Sequence, residues 1–507
     1  MSRPAISLPL SELLGEEAGQ VAGEEPQIVG LTADSRAVQP GFLFAALPGV
    51  KVDGARFAPQ AIAAGASAIL AAHGADIGSD APIPVIRDEN PRRRLALMAA
   101  RFYGAQPQTV VAVTGTNGKT SVAQFVRQVW EATGRKAAAI GTLGAAADGY
   151  ARPLAHTTPD PVELQDILAE IKAAGVDRAA IEASSHGLAQ HRLDGVRLAA
   201  AAFTNITQDH LDYHPTFTDY LQAKLRLFTE LLPDGAPAII NCDGAGAEDA
   251  LAACAERGVR TLQVGAGGRD VRLEEARRQG SGFDLRIEAE GATIEVALPL
   301  IGAFQIENAL TAAALASAAD PELSLRGALS AVSALKGVRG RMEAVGAARG
   351  GHIYVDYAHT PDALAVSLKA ARPHATGKLM VVFGAGGERD ASKRPLMGAA
   401  AAAHADVAIV TDDNPRSEEP ASIRSAILSG VGAVKGACAL REIGDRAEAI
   451  SHAVSELAPG DILLIAGKGH ETMQIVGDTA HAFDDAAVAR AAIGEITADG
   501  AKGEAHG

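Results

Sequence analysis

Cysteine is scarce in this chain of 507 residues, which contains only Cys242, Cys254 and Cys438. The spacing of the three does not match that of zinc ligands, and three thiols cannot supply the framework of a disulfide-stapled domain. The sequence therefore argues against a structural zinc site and against a disulfide-rich secreted fold. It is typical of a protein from a reducing cytoplasm.

Long apolar runs are also missing, and aromatic residues make up only 4% of the chain. No uninterrupted apolar stretch reaches the roughly 20 residues that a helix needs to cross a bilayer. The first residues lack the basic segment and the apolar stretch of a signal peptide. We therefore expect a cytoplasmic protein without membrane insertion, whose cores are built from Ala, Leu, Val and Ile rather than from stacked rings. We also expect a monomer.

Basic residues are fewer than acidic ones, with 46 Lys and Arg against 61 Asp and Glu, for a formal net charge of −15. A chain of this charge repels nucleic acid. The run Arg92-Arg93-Arg94 does not change the balance, because three arginines before an apolar periodic segment are typical of a solvated helix start. Nucleic acid is not expected as a partner.

Apolar residues make up 48% of the chain, and 507 residues exceed what one hydrophobic core can hold. Strand and helix patterns alternate along the sequence, which predicts an α/β fold. We predict three domains: a small N-terminal α/β domain over residues 1–90, a central P-loop ATPase domain with a mostly parallel sheet over residues 91–335, and a C-terminal Rossmann-like domain over residues 336–507. A glycine-punctuated linker at residues 336–343 marks the last boundary.

A phosphate-binding loop is predicted between a buried strand at residues 110–113 and a helix with an apolar stripe. Backbone N–H groups and the helix dipole both face an anion in such a turn. Its residues are Gly115, Thr116, Asn117, Gly118, Lys119, Thr120 and Ser121. Lys119 can reach the β- and γ-phosphates, and the Thr120 hydroxyl suits Mg²⁺. The alternative is an ordinary strand-to-helix turn, which rarely carries Gly-Lys-Thr directly after a hydrophobic strand.

Three further features follow the loop in sequence. Glu182 lies near the end of an apolar strand, where a carboxylate is either a Mg²⁺ ligand or a surface cap. Residues 205–214 contain two histidines and two aspartates, of which we favour His210 as a ligand. Lys224 falls on the apolar stripe of a helix, one turn from Tyr220 and one turn from Phe228. The pattern alone favours a lysine that reaches water from the stripe edge, over a desolvated amine able to form a carbamate.

The predicted C-terminal domain has three polar loops, each directly after a predicted strand, at residues 384–390, 412–416 and 467–471. Loops after parallel strands line the ligand side of a doubly wound sheet. Together they carry two arginines and several carboxylates, which can pair with the carboxylate and the ammonium of a small zwitterion. The pattern indicates an amino-acid site.

The chain resembles the Mur ligases of peptidoglycan synthesis over nearly its full length. The motifs that carry the resemblance, in the family's order, are GTNGKTS at 115–121, IEASSHGL at 181–188, NITQDHLDYH at 205–214, YLQAKLRLF at 220–228, VDYAHTPDAL at 355–364, DNPR at 413–416 and GKGHE at 467–471. Small departures are Ala385 and Glu388, where the family more often has Cys and Asp, and His156, where many relatives carry Asn.

The resemblance implies an ATP-dependent, ADP-forming ligase that requires Mg²⁺. Such an enzyme joins meso-diaminopimelate to UDP-N-acetylmuramoyl-L-alanyl-D-glutamate through an acyl phosphate. It would serve cell-wall biogenesis, and through it cell shape and division. Its partners would be these small molecules and ATP.

The resemblance also implies the roles of individual residues. The catalytic set is Lys119, Glu182, His210 and Lys224, and the metal ligands are Thr120, Glu182, His210 and Lys224 as a carbamate. ATP would contact the loop from Gly115 to Ser121, with Asn308, Arg341 and Asp356. The UDP-muramoyl-dipeptide would contact Ser35, Val50, Lys51, Val52, Thr157, Thr158, Ser184, Gln190 and Arg192. Diaminopimelate would contact Arg389, Asp413, Asn414, Pro415, Arg416, Gly467 and Glu471.

Three other functions fit the sequence less well. An L-lysine-adding ligase is less favoured, because Arg416 suits the second carboxylate of diaminopimelate. The N-terminal domain argues against a folylpoly-γ-glutamate-type ligase. A nucleotide-gated binding protein that hydrolyses ATP without joining two molecules would not need Lys119, Glu182, His210 and Lys224 together.

Overall fold

The computed structural model describes residues 6–15, 25–49, 52–78, 81–207, 213–431 and 438–504. The chain divides into two compact units, of which the first comprises residues 1–274, 287–294 and 308–332. The second unit comprises residues 275–286, 295–307 and 333–507. In the described ranges, no helix combines the length and the hydropathy that crossing a membrane requires.

A parallel four-stranded sheet in the order β3-β4-β5-β6 forms the start of the first unit. Its elements, with the short pair β1–β2, are β1 (Leu8–Pro9), α1 (Leu10–Leu14), β2 (Gln27–Ile28), β3 (Gly30–Thr32), β4 (Phe42–Ala46), a 3₁₀ turn (Gly54–Phe57), α2 (Ala58–Ala63), β5 (Ala68–Ala72), β6 (Val85–Asp88) and α3 (Pro91–Tyr103). The run Ile28-Val29-Gly30-Leu31 predicts one continuous strand. This strand is broken in the structure, since Val29 belongs to neither β2 nor β3 and is 43% exposed. Leu43 and Leu70 of this sheet pack against α1 and α3.

The central sheet has the order β10-β9-β8-β11-β7-β12-β13-β14-β15-β16-β17 in the described residues. The elements are β7 (Thr109–Thr114), α4 (Lys119–Ala132), β8 (Ala137–Gly141), β9 (Gly144–Ala147), β10 (Tyr150–Arg152), α5 (Pro161–Ala173), β11 (Arg178–Glu182), α6 (Ser185–Ala189), β12 (Leu198–Phe203), α7 (Phe217–Arg226), a π-helical turn (Leu227–Leu231), β13 (Ala238–Asn241), α8 (Ala247–Glu256), β14 (Thr261–Gly265), β15 (Val271–Gln279), β16 (Gly282–Ala289), β17 (Ala292–Leu298), α9 (Phe304–Ala318), α10 (Leu325–Ser330) and a 3₁₀ turn (Ala331–Ala334).

Strand β7 lies between β11 and β12, and both run parallel to it. Apart from one half-buried residue near the start of each, the three strands are buried and consist mostly of Val, Ile and Ala, as expected for a parallel sheet covered on both faces. Because β7, β11 and β12 end at the same edge, the loops that follow them come together there. This edge holds the candidate phosphate site.

The second unit contains a sheet in the order β18-β19-β23-β20-β21-β22, parallel except for β18. Its elements are β18 (Glu343–Ala348), β19 (Gly351–Asp356), α11 (Pro361–Ala371), a 3₁₀ turn (Arg372–His374), β20 (Leu379–Phe383), α12 (Lys393–His404), β21 (Val407–Val410), α13 (Pro420–Val431), β22 (Ala439–Glu442), α14 (Arg446–Ser455), β23 (Ile462–Ala466), β24 (Met473–Val476), β25 (Thr479–Ala482) and α15 (Asp485–Glu504). The predicted α/β class, the mostly parallel central sheet and the Rossmann-like C-terminal sheet are confirmed.

A buried ion pair ties α15 to the loops at the ligand edge of this second sheet. Arg446 Nε lies 2.7 Å from Asp485 Oδ1, and both side chains are 0% exposed. Burial opposes the charge of Arg446, but the Asp485 carboxylate outweighs it and raises the pKa of the guanidinium. Arg446 also donates to the carbonyl of Ala466, the last residue of β23, 2.9 Å away. The end of β23 is thereby fixed just before Gly467.

Candidate active site

Two glycines give the phosphate loop its shape. Gly115 has φ +148° and Gly118 has φ +87°, conformations that side-chain-bearing residues rarely adopt. A Cβ on Gly115 would lie 1.9 Å from Thr204 Oγ1, and one on Gly118 would lie 2.5 Å from Asn308 Oδ1. Both positions therefore require glycine for backbone conformation and for close approach. Asn308, an expected ATP contact, is brought directly against the loop.

Lys119 is the first residue of α4 and curls back over the loop. Its Nζ donates to the carbonyls of Gly115 and Thr116, each 2.9 Å away. The ammonium group thus lies at the positive end of the α4 dipole, where the first N–H groups of the helix have no intrahelical acceptor. This combination favours binding of a phosphate group.

The segment that follows β12 holds the loop in place. The carbonyl of Asn205 accepts the Thr116 N–H at 2.8 Å, and the Asn205 side-chain oxygen accepts the Asn117 N–H at 3.0 Å. Thr204 Oγ1 donates to the Asn117 carbonyl at 2.6 Å. Neither residue was among the predicted site residues, although Asn205 begins the motif at 205–214 and Thr204 directly precedes it. Asn205 thus uses two of the loop's N–H groups, those of Thr116 and Asn117.

Glu182 ends β11 and is 2% exposed. Its carboxylate accepts hydrogen bonds from the Thr120 hydroxyl and from the Thr142 N–H, both at 2.8 Å, and from the Thr142 hydroxyl at 3.2 Å. A Cβ on Gly141 would lie 2.0 Å from Glu182 Oε1, so glycine is required there. The surface-cap alternative is wrong. The buried Glu182 carboxylate is therefore connected to the phosphate loop through the Thr120 side chain.

Lys224 of α7 is 1% exposed, so the alternative in which it reaches water is wrong. Its Nζ donates to the Gly115 carbonyl at 2.6 Å and lies 4.5 Å from the centroid of the Tyr220 ring. The same carbonyl also accepts from Lys119. Tyr220 in turn shares a 2.9 Å hydrogen bond with Thr116 Oγ1. The Lys224 amine is therefore buried directly under the phosphate loop.

The threonines expected to contact the muramoyl dipeptide lie beside Glu182. Thr157 Oγ1 is 3.1 Å from Thr142 Oγ1, and Thr158 Oγ1 donates to the Glu182 carbonyl at 2.7 Å. The N–H of Ser184 donates to Thr158 Oγ1 at 3.0 Å. These contacts place both threonines and Ser184 within one hydrogen-bonded group at the carboxyl end of β11.

A cationic side chain extends this group. Arg192 donates to the Thr158 carbonyl at 2.5 Å and to Gln190 Oε1 at 2.8 Å, while Gln190 donates to the Tyr213 hydroxyl at 3.0 Å. Burial lowers the pKa of Arg192. Five predicted dipeptide contacts therefore adjoin the phosphate loop through a continuous chain of hydrogen bonds.

The predicted nucleotide contacts of the N-terminal sheet lie elsewhere in the first unit. Ser35 follows β3, and its hydroxyl donates to Gln60 Oε1 at 3.3 Å. Val52 is 45% exposed. Val50, Lys51 and His210 lie outside the described residues.

In the second unit, the loops after β21 and β23 form a buried polar cluster. Asn414 Nδ2 donates to Glu471 Oε2 at 3.0 Å. A Cβ on Gly467 would lie 2.7 Å from Asp413 Oδ2. Asp413 and Asn414 are 7% and 6% exposed. Four of the residues expected to bind diaminopimelate thus come together. Lys468, which was not among the predicted contacts, is buried against two of them.

The two predicted arginines differ in their surroundings. Arg416, next to the buried Pro415, has φ +52° and donates through a guanidinium nitrogen to the Gly387 carbonyl at 2.6 Å. Its backbone pairs with β24, since its N–H donates to the Ile475 carbonyl at 3.1 Å. Arg389 is exposed on the loop after β20. Arg416 is therefore held against the cluster, whereas Arg389 extends towards solvent.

The predicted ATP contacts of this unit surround the end of β19. Asp356 is 8% exposed and accepts the Met342 N–H at 2.8 Å and the Ser367 hydroxyl at 2.9 Å. Burial raises the pKa of the Asp356 carboxyl group, and the charge of Arg341 only partly offsets this rise. The Arg341 guanidinium lies 4.7 Å from the centroid of the Tyr357 ring. Asp356 and Arg341 therefore form a polar group beside the Tyr357 ring.

Among the described residues, no group of three or more His, Cys, Asp and Glu side chains is arranged to hold a metal ion. The predicted magnesium set is of a different kind, because it combines the Thr120 hydroxyl and the Glu182 carboxylate with a modified Lys224 and with His210. The first two lie 2.8 Å apart.

Three family models match the chain in succession. Residues 27–103 match the model described as Mur ligase family, catalytic domain, and residues 113–316 match the Mur ligase middle domain. Residues 340–469 match the Mur ligase, glutamate ligase domain.

Curated relatives match over almost the whole chain. A protein of Caulobacter vibrioides named UDP-N-acetylmuramoyl-L-alanyl-D-glutamate--2,6-diaminopimelate ligase is 52% identical over 470 residues, which is 91% of this chain and 95% of that protein. A protein of the same name from Bradyrhizobium diazoefficiens is 50% identical over 489 residues, 96% of this chain and 99% of that protein. A solved structure of that name is 32% identical with a TM-score of 0.71, covering 97% of this chain and 99% of that chain. The chain belongs to the Mur ligase family.

Proposed function

We propose that the protein is an ATP-dependent, ADP-forming ligase that joins meso-diaminopimelate to UDP-N-acetylmuramoyl-L-alanyl-D-glutamate in peptidoglycan precursor synthesis. Relatives about half identical to this chain carry the name of that ligase. The observation that carries the proposal is the buried Glu182 carboxylate, bonded at 2.8 Å to the Thr120 hydroxyl at the start of the phosphate-loop helix. The protein would act in the cytoplasm as a monomer on these small molecules.

A Mg²⁺ ion fits the residues around Glu182. Carboxylate and hydroxyl oxygens are the hard donors that this ion prefers, and the donors that contact Glu182 in the described residues are all neutral. Thr120, Glu182, His210 and Lys224 as a carbamate would hold it. When bound, Mg²⁺ would offset negative charge on the transferring phosphoryl group.

Carbamylation of Lys224 would change the charge beside the phosphate loop. Two ammonium groups, those of Lys119 and Lys224, would otherwise share the Gly115 carbonyl. After the ammonium group loses a proton, the neutral Lys224 amine attacks carbon dioxide and releases a second proton, which gives a carbamate anion in place of one of these cations. The burial of Lys224 supports this modification, because it keeps the amine away from water.

Amide-bond formation would proceed in two steps. The γ-carboxylate of the D-glutamyl residue attacks the γ-phosphorus of ATP, which gives an acyl phosphate and ADP. Lys119 and the N–H groups at the start of α4 hold the transferring phosphoryl group and stabilise its charge. The free amine of diaminopimelate then attacks the acyl carbon, loses a proton and displaces inorganic phosphate. Thr157, Thr158 and Arg192 would position the dipeptide for both steps.

The polar cluster of the second unit would select the amino acid. Glu471 and Asp413 carry negative charge suited to an ammonium group, and Arg416 can pair with a carboxylate through two parallel hydrogen bonds. ATP would also contact Asn308, Arg341 and Asp356. The arrangement favours a substrate with both an amino-acid head group and a second carboxylate.

The proposal is tested by measuring ADP formation with ATP, Mg²⁺ and the UDP-muramoyl-dipeptide, with either meso-diaminopimelate or L-lysine added. We expect ADP formation to depend on diaminopimelate. Stimulation by L-lysine alone would overturn the assignment of the amino acid. ADP formation that no amine changes would instead indicate a nucleotide-gated binding protein.

A further inference from the structure

Lys468 lies in the turn that follows β23, between Gly467 and Glu471, and its side chain is 0% exposed. A lysine is almost never buried to this degree unless its charge is paired. The turn is closed by the Glu471 N–H, which donates to the Lys468 carbonyl at 3.0 Å. Gly469, with φ +54° and a would-be Cβ 2.7 Å from Tyr357 Cβ, allows the turn to pack there.

The ammonium group of Lys468 has three acceptors, one for each of its protons. These are Asn414 Oδ1 at 3.1 Å, Glu471 Oε2 at 3.1 Å and the Met473 carbonyl at 2.6 Å. Two of the acceptors are side chains assigned to the amino-acid site, and the third is the first residue of β24. Lys468 therefore joins the loop after β21, the turn after β23 and the β24–β25 hairpin at one point.

These contacts fix which way the Asn414 amide faces. Its oxygen accepts from Lys468 and from the Ile475 N–H at 3.0 Å, so its nitrogen donates to Glu471. A reversed amide would place its N–H₂ group against the Lys468 ammonium. The orientation of the Asn414 amide is thus determined by Lys468 and the Ile475 N–H, without a bound ligand.

The contacts also leave one oxygen of Glu471 for a ligand. Lys468 and Asn414 both donate to Oε2, and the Glu471 side chain is 34% exposed. A carboxylate can accept about four hydrogen bonds over its two oxygens, so Oε1 retains acceptor capacity. Because Lys468 and Asn414 hold Oε2, the position of Oε1 is also restricted, and Oε1 can accept a hydrogen bond from an ammonium group.

We propose that Lys468 is a positioning residue for the incoming amino acid, whose ammonium group pairs with the Glu471 carboxylate that Lys468 and Asn414 hold in place. The inference rests on the proposed function and assigns this part of the site to a zwitterionic amino acid. Lys468 acts through Glu471 and does not itself touch the substrate.

The test is Lys468→Met, which removes the ammonium group and keeps much of the aliphatic volume. Loss of a charge-assisted hydrogen bond in a buried site weakens binding by about 10- to 100-fold. We expect the KM for meso-diaminopimelate to rise by about that factor, while the KM values for ATP and the UDP-muramoyl-dipeptide stay within about twofold. A Lys468→Gln variant, which retains two donors, should show a smaller rise and provides a measurement if the Met variant does not fold.

Two further variants separate positioning from general stability. Because Lys468 acts through Glu471, the double variant Lys468→Met with Glu471→Gln should be no worse for diaminopimelate than Glu471→Gln alone. Leu457, 2% exposed in the apolar cluster of the same unit, provides the control Leu457→Ala. That variant should lower thermal stability without changing the KM for diaminopimelate.

An unchanged KM for diaminopimelate in both Lys468 variants, or an equal rise in all three KM values, would overturn the inference. Fully additive losses in the double variant would also overturn it. Failure of the wild-type protein to use diaminopimelate at all would overturn the proposed function instead, and the wild-type assay distinguishes the two failures.

Discussion

Replacing Glu182 by Gln removes a buried negative charge and keeps the shape of the side chain. The carboxylate is 2% exposed and accepts three hydrogen bonds, from Thr120 and Thr142. Burying one ion costs several kcal/mol, and each hydrogen bond to a charged group returns about 1.5–3 kcal/mol. These terms nearly cancel, so we expect Glu182→Gln to change the free energy of unfolding of the unliganded protein by about 1 kcal/mol or less.

Activity should respond very differently from stability. If Glu182 is a Mg²⁺ ligand, the variant loses about 3–5 kcal/mol of the charge stabilisation that the ion supplies in the transition state. At 1.36 kcal/mol for each factor of ten, ADP formation should fall by about 100- to several-thousand-fold. A large loss of rate without a loss of stability is the signature of a group that the fold does not need.

The assay follows ADP formation across a range of Mg²⁺ concentrations, together with thermal unfolding with and without Mg-ADP. Ligand at about 100 times its Kd stabilises a protein by about 2.7 kcal/mol, and the variant should lose most of that shift. Glu131→Gln is the matched control, since Glu131 lies on α4, is 35% exposed and pairs with Arg127 at 3.1 Å. A Glu182→Gln protein with wild-type rate and wild-type Mg²⁺ dependence would refute the reasoning.

Three other predictions follow from single contacts. Gly141→Ala places a Cβ 2.0 Å from Glu182 Oε1 and should reduce ADP formation by about 100-fold or more. The control Gly74→Ala places its Cβ in open space and should leave the rate of ADP formation unchanged. Equal rates in the two variants would contradict the prediction. Arg416→Lys should reduce kcat/KM for meso-diaminopimelate by about 10- to 100-fold but not for L-lysine, and steady-state kinetics showing equal losses would contradict this. Burial and two nearby arginines lower the pKa of His470 from 6.5 to about 4. Between these two pH values the unfolded chain binds more protons than the folded chain, so the free energy of unfolding falls as the pH falls from 6.5 towards 4. In thermal unfolding between pH 4.5 and 7.5, His470→Asn should show a smaller loss than the wild type, and identical pH slopes would contradict the prediction.

Much of the fold could be predicted because its signals are local. Uniformly apolar segments bounded by glycine predicted the parallel strands, and Gly-Lys-Thr after β7 predicted the loop and the start of α4. The position of Glu182 at the end of such a strand predicted that it would lie near that loop. The expected strand at residues 28–31 was wrong in detail, because Val29 lies outside both β2 and β3, although its N–H donates to the Gly41 carbonyl.

The supports of the site could not be predicted, because they join residues far apart in sequence. Thr142 lies 40 residues from Glu182, Asn205 lies 88 residues from Asn117, and Lys468 lies 54 residues from Asn414. Thr142 has no local pattern that distinguishes it from an ordinary polar residue after a strand. Asn205 and Lys468 lie within motifs, but a motif does not show which distant residue each side chain contacts.

The position of Lys224 on an apolar stripe was equally compatible with a buried amine and with one that reaches water. The Gly115 carbonyl, 109 residues away, decides between them. Whether the amine is a carbamate remains a prediction.

The central claim is that ATP activates the γ-carboxylate of the D-glutamyl residue for attack by diaminopimelate. The most direct test uses the UDP-muramoyl-dipeptide with both γ-carboxylate oxygens replaced by ¹⁸O, and measures the released phosphate and the product by mass spectrometry. The account predicts one ¹⁸O in each released phosphate, one ¹⁸O in the new amide carbonyl, and a product heavier by one diaminopimelate residue. Unlabelled phosphate released without a tripeptide product would contradict it.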